Sequence, residues 1–331
     1  MNHNNLIDFV ICWVDGNDPE WRKEKSKYSP GIKTDSRGLR YRDWNNLQYL
    51  FRGIEKYASW VNKIHFVTWG HIPTWLNVEH PKINIVRHKD FIPNEYLPTF
   101  SARPIEINLH RINGLSNQFV YFNDDMFILR DLKKTDFFKN GLPRDVAVLD
   151  NAMKNDEAHG AAFYNSVVLI NYHFSKSNAF KKHFFKWINY KYGKLLLRTI
   201  LLSPWKMFSG FYTPHLPNAF LKQTFYDVWN KELDVLNLTS NNKFRSKLDV
   251  TQYLFKFWQL AAGDFLPRKN IGKLFKIGTL DLNIIQKVIE KQEHKLICLN
   301  DSDEIENFDR TKQKLINSFD VILPEKSTFE I

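Results

Sequence analysis

The chain has 331 residues, 43% hydrophobic and 15% aromatic, with 47 Lys and Arg against 36 Asp and Glu. This is enough apolar material for one large core, or a core plus a subdomain, and it excludes a low-complexity chain. The formal charge of +11 favours anionic partners such as nucleotides, glycan phosphates, membrane surfaces or nucleic acid, without choosing among them. Two cysteines, Cys12 and Cys298, lie apart in apolar, strand-like runs and lack the spacing of a zinc site or a disulfide framework, so a reducing, cytoplasmic setting is expected.

Met1 to Asn5 carries no Lys or Arg, and Asp8 interrupts the apolar stretch that follows, which makes a poor secretory leader. No later run is long and apolar enough to span a bilayer. Leu6 to Val14 reads as a buried strand ending in the turn formers Asp15-Gly16-Asn17-Asp18-Pro19. A helix is predicted from Asp43, as N-cap, to Ala58, because Leu47, Leu50, Phe51 and Ile54 recur at helical spacing. Strands are predicted at Ile64 to Thr68, Ile83 to Val86 and Phe119 to Phe122, with a helix from Ser101 to Ile112 before the last. Strands alternating with helices predict an α/β fold: a Rossmann-like, mostly parallel sheet in residues 1–157.

Ala158 to Tyr226 contains nine Lys or Arg and no Asp or Glu, among many aromatics. It reads as mainly helical, interrupted at Gly193 and Pro204. It is expected to be a basic helical subdomain or insertion over residues 158–240, either lying on an anionic surface such as a membrane or capping the core. Residues 241–331 complete the core, with helices predicted from Asp249 to Ala261 and Glu304 to Phe319 and a strand at Leu296 to Leu299.

The sharpest local signal is Phe119-Val120-Tyr121-Phe122-Asn123-Asp124-Asp125, where an apolar strand delivers adjacent carboxylates to its C-terminal end. That is where α/β sheets place ligands, and paired carboxylates there can hold a divalent cation, Mg or Mn, together with substrate phosphates. A turn with a helix cap is the alternative. Arg52 lies on an amphipathic helix, where an ordinary surface or helix-pairing role is the plain reading. His215, between Pro214 and Leu216-Pro217, sits in a stiff loop; a lone histidine is most often structural, although an imidazole can also take a proton from a hydroxyl.

The chain resembles the Stealth family of capsular polysaccharide phosphotransferases. Four blocks carry the likeness: Ile7 to Gly16; a long block from Tyr41-Arg42-Asp43 through Arg52-Gly53-Ile54, Leu97-Pro98-Thr99-Phe100 and Leu109-His110-Arg111 to the Asn-Asp-Asp strand; Thr213 to Pro217; and Phe244-Arg245-Ser246 with Cys298-Leu299-Asn300-Asp301. Asn46, Gly53 and Ala102-Arg103 depart from the commoner Glu, Ser, and Ser, Asn or His, which bears on acceptor or sugar preference.

The resemblance implies that Asp124 and Asp125 hold metal and diphosphate, that Asp15 and Gly16 line the nucleotide side, and that Arg42, Arg52, His215 and Arg245 complete the set. Asp43 and Asp125 are alternatives to His215 as base, and Glu106, His110 and Asn123 are further candidates. The implied reaction moves hexose-1-phosphate, or N-acetylhexosamine-1-phosphate, from a UDP-sugar to a hydroxyl of an oligosaccharide or lipid-linked glycan and releases UMP. The rivals are a metal-dependent glycosyltransferase releasing UDP and, more remotely, a non-catalytic binder of anionic glycan or nucleic acid. Nucleic acid is not expected, since no such motif occurs and clustered carboxylates repel phosphate unless a metal intervenes.

Overall fold

A computed structural model describes residues 6–29, 42–152 and 158–331. Met1 to Asn5 and Tyr41 of the long block lie outside them. Among the described residues the strands are β1 (Ile7–Cys12), β2 (Ile64–Thr68), β3 (Ile83–Arg87), β4 (Gln118–Asn123), β5 (Met126–Ile128), β6 (Phe138–Lys139), β7 (Leu142–Asp145), β8 (Asn218–Leu221), β9 (Leu266–Pro267), β10 (Gly272–Lys276) and β11 (Leu296–Asn300).

The central sheet runs β3-β2-β1-β4-β8. Its first four strands are parallel, and β8 is antiparallel to β4. This is the expected mostly parallel α/β sheet. Both faces are covered, so β1 is apolar on both sides apart from Asp8: Phe9 and Ile11 enter one core cluster and Val10 the other. The first cluster takes helices Leu47–Tyr57, Leu282–Glu290 and Phe308–Ile322, and the second takes Lys222–Lys231 and Tyr253–Ala262.

Asp8, the charge that interrupts the first strand, is fully buried and satisfied. Its carboxylate accepts from Asn62 Nδ2 at 2.7 Å and the Ser116 amide at 2.7 Å, and it pairs with His65 at 3.1 Å. Burial opposes its charge, but the bonds from His65, Asn62 and Ser116 outweigh that and hold its pKa below the ordinary carboxylate value.

Several predicted boundaries shift for local reasons. The helix predicted from Asp43 starts at Leu47, because Asn45 has φ +47° and its amide donates to Asp43 Oδ1 at 2.8 Å, closing a turn instead. The helix predicted from Asp249 starts at Tyr253, since the Asp249 carboxylate is taken by Arg103 and by the Ser246 amide. The last helix begins at Phe308, where Asn307 accepts from the Arg310 amide at 2.9 Å. The basic segment is helical up to Leu202, but Asn218–Leu221 then enters the central sheet as β8, which its composition did not indicate.

Candidate active site

In the register of β1 with β4, Cys12 faces Asn123, so the loops after these strands leave the sheet side by side. One carries Asp15 and Gly16, the other Asp124 and Asp125. The second loop is a two-residue turn into β5, which pairs antiparallel with β11 and places Cys298 opposite Met126. Through that pairing the Leu299 amide donates to the Asp125 carbonyl at 2.8 Å, and the Cys298 thiol donates to Asp125 Oδ2 at 3.2 Å.

β8 brings in the third member. Its pairing with β4 draws the preceding loop across the strand ends, so that His215 Nε2 lies 3.7 Å from Asp125 Oδ2 while Nδ1 meets the Tyr253 hydroxyl at 3.3 Å. His215 holds φ +48°, a left-handed conformation that is uncommon outside glycine. One ligand atom each from Asp125, His215 and Cys298 lies within 4.8 Å of the others.

Charge is concentrated here. Asp124 is open to solvent yet ringed by protein, and desolvation, then Asp125 and more weakly Asp43, push its pKa up to about 7. Burial disfavours the His215 cation, but Asp125 and Glu106 more than offset this and raise its pKa, with Arg245 opposing. Glu106 is buried and accepts from the Tyr121 hydroxyl at 3.1 Å. Burial raises its pKa, while Tyr121 and Arg245 pull it down.

Asp125 Oδ1 is buried and accepts no hydrogen bond among the described residues. A buried carboxylate oxygen without a donor, beside a second carboxylate whose charge is disfavoured, suits a divalent cation. Burial pushes the Cys298 thiol up, which keeps it a donor to Asp125 and favours an oxygen-preferring cation.

A cleft of ≈ 690 Å³ opens beside the β1 loop, lined by Gly16, Trp21, Arg22, Lys25, Arg42, Asp43, Phe308 and Lys312 among others. It adjoins the carboxylate pair through Asp43, whose charge is felt at Asp124; Asp124, Asp125 and His215 do not line it themselves. Arg42 stands 4.7 Å over the Phe308 ring and 3.6 Å from Asp301, at the end of β11. Asp15 spends one carboxylate oxygen on the Asn17 amide at 2.8 Å, and its own amide donates to His71 Nε2 at 2.7 Å.

Two candidates sit elsewhere. Arg52 forms a two-pronged pair with Glu330, both bonds 2.9 Å, and donates to the Leu323 carbonyl at 2.9 Å, so its fork clasps the C-terminal segment. His110 is buried against Phe225, Tyr226 and Trp229, and burial drives its pKa down to about 3. The ring is packing material there, not outward-facing.

Residues 7–33 match the description "Stealth protein CR1, conserved region 1", and residues 40–145 match "Stealth protein CR2, conserved region 2". The capsular polysaccharide phosphotransferase WcwK of Streptococcus pneumoniae is 42% identical over 334 aligned residues, covering 100% of this chain and 99% of its own. The chain belongs to the Stealth family. Two further relatives are the receptor polysaccharide phosphotransferase WefC of Streptococcus gordonii, 40% identical over 98% of this chain and 99% of its own, and the exopolysaccharide phosphotransferase cps2G of Lactiplantibacillus plantarum, 40% identical over 98% and 96%. Among solved structures the galactosyltransferase LgtC superposes with a TM-score of 0.41 at 9% identity, covering 94% of this chain and 95% of its own, too loosely to bear on chemistry. This Stealth chain is an enzyme of the sugar-phosphate transferase class.

Three residues that meet the candidate site were not singled out from sequence. Cys298 and Asp301 stood in a family block without an assigned role, and they bond Asp125 and Arg42 respectively; Tyr253 had no signal beyond its helix. The departures at positions 53 and 103 have structural reasons. A Cβ on Gly53 would lie 2.7 Å from the Ile128 carbonyl, and Arg103 is buried against Asp249 at 2.6 Å.

Proposed function

We propose that this Stealth enzyme transfers hexose-1-phosphate, or its N-acetylhexosamine counterpart, from a UDP-sugar to a glycan hydroxyl in the synthesis of a cell-surface polysaccharide. The acceptor oxygen bonds to the phosphorus that bears the sugar, the bond from that phosphorus to the bridging oxygen breaks, and UMP leaves. The anomeric bond stays intact. Full-length relatedness to polysaccharide phosphotransferases supports the reaction class, and the observation that carries the reading is His215 held against Asp125 at the strand ends beside a cleft rich in cationic side chains.

His215 takes the proton of the acceptor hydroxyl, with Tyr253 and Asp125 orienting its ring. Arg42, and Arg245 beside Glu106, neutralise donor phosphate, and Asp15 and Gly16 bound the nucleotide side of the cleft. Asp124 and Asp125 would hold Mg or Mn, which supplies charge neutralisation on the diphosphate. Transfers of this kind gain mainly from positioning and charge stabilisation and need no covalent nucleophile.

The test is product analysis with UDP-hexose labelled at the β-phosphorus, Mg or Mn, and an oligosaccharide acceptor, with Asp124→Ala and His215→Ala as controls. Label in the glycan with acceptor-dependent UMP is expected. Label leaving as UDP would replace this reading with glycosyl transfer.

A further inference from the structure

From the acid-free segment, the chemistry above uses only His215. Within it, helix Leu196–Leu202 is inverted. Leu197, Ile200 and Leu201 share one helical face and are 60%, 49% and 72% exposed, while Thr199 is the buried residue. Trp205 and Met207, in the turn that follows, are 61% and 60% exposed. A continuous outward run of this kind marks an interaction surface rather than scattered apolar side chains.

The surface is held firmly. Buried Lys176 donates to the carbonyls of Leu202, Ser203 and Trp205 at 2.7, 3.1 and 2.8 Å, fixing the helix end and the turn. Thr199 Oγ1 accepts from the Leu149 amide at 3.0 Å and pins the opposite side. Exposed Lys194 and Lys206 bracket the run in sequence. Arg198, on the same helix, pairs with Asp150 at 2.6 Å and so neutralises the acid that touches it.

We propose that this face docks on the surface of an anionic lipid bilayer. Its composition suits that occupant: aliphatic side chains and a Trp can enter the acyl boundary while Lys stems lie along it with their charges at the headgroups. A second copy of the chain fits less well, because pairing two such faces would bring cations together with no acid from the segment between them. The inference is independent of the transfer reaction, since lipid binding is read without substrate.

The experiment is sedimentation of the full chain with vesicles of phosphatidylcholine alone or mixed with phosphatidylglycerol, at low and high salt. Binding to the anionic vesicles, weakened by salt, is expected. Lys194→Gln with Lys206→Gln should weaken it roughly 30-fold, at about fivefold per cation near an anionic surface. Leu201→Glu with Trp205→Glu should abolish it at an unchanged unfolding temperature, since both side chains are exposed. Three results would overturn the proposal: wild-type protein staying in solution with anionic vesicles at low salt, binding that survives both double variants, or a concentration-dependent dimer lost on Leu201→Glu/Trp205→Glu without vesicle binding.

Discussion

Asp249→Ala is the perturbation that best tests how the site is supported. Asp249 is fully buried; its Oδ2 lies 2.6 Å from Arg103 Nη1 and 2.8 Å from the Ser246 amide, and its Oδ1 accepts from Asn242 at 2.6 Å. Ser246 follows Arg245, and Arg103 stands one helical turn before Glu106, so this carboxylate ties the loop of one proposed site residue to the helix of another. Removing it takes the carboxylate partner from the buried Arg103 guanidinium, which keeps its 2.6 Å bond to the Ser246 carbonyl, and breaking a buried ion pair in this way costs about 3–5 kcal/mol. Two further donors lose their acceptor. Urea unfolding should show that loss in the midpoint, and the proposed transfer reaction of the folded variant should slow at least about tenfold as Arg245 moves. Arg103→Met with Asp249→Leu should recover the share of the loss that comes from the unpaired charge, because an apolar pair carries no desolvation cost, but not the share from the Ser246 amide and Asn242, which still lack their acceptor. An Asp249→Ala variant within about 1 kcal/mol of wild type would refute the account, as would a coupling energy near zero in the double-mutant cycle.

Arg52→Ala should lower stability by about 1–3 kcal/mol through loss of the Glu330 clasp, and Glu330→Ala should reproduce it without additivity, while donor KM at a permissive temperature stays near wild type; a large KM rise would return Arg52 to the donor site. Gly53→Ala should cost about 1–3 kcal/mol by forcing a methyl onto the Ile128 carbonyl, read from the unfolding midpoint. His110 carries a folded pKa of about 3, below the 6.5 of the free imidazole, so its contribution is intact above pH 6.5 and is lost as pH falls toward 3. Between pH 7 and pH 5 that amounts to roughly 2 kcal/mol, and His110→Phe should remove this part of the acid loss in stability; an unchanged pH slope would contradict it. Asp124→Asn should abolish any rise in unfolding temperature produced by Mn or Mg, and an undiminished rise would move the cation elsewhere.

Strand identity and sheet class were legible in the chain because they rest on local patterns. Apolar runs such as Ile7–Cys12 and Gln118–Asn123 need both faces covered, and the turn formers after them mark the C-terminal ends where α/β sheets gather ligands. Asp124 and Asp125 were therefore visible as a pair, and family blocks pointed to Arg42, His215 and Arg245. Partners were not visible. Asp249 reads as a helix start until Arg103, 146 residues away, claims it, and Arg52 reads as a phosphate ligand until Glu330, 278 residues away, takes its fork. His215 reaches Asp125 only because β8 runs antiparallel beside β4, and Cys298 only because β11 pairs with β5. Periodicity and turn chemistry act over a few residues and so are written locally. Which buried charge meets which is decided by sheet order and packing, where one satisfied partner excludes every other use of the same side chain.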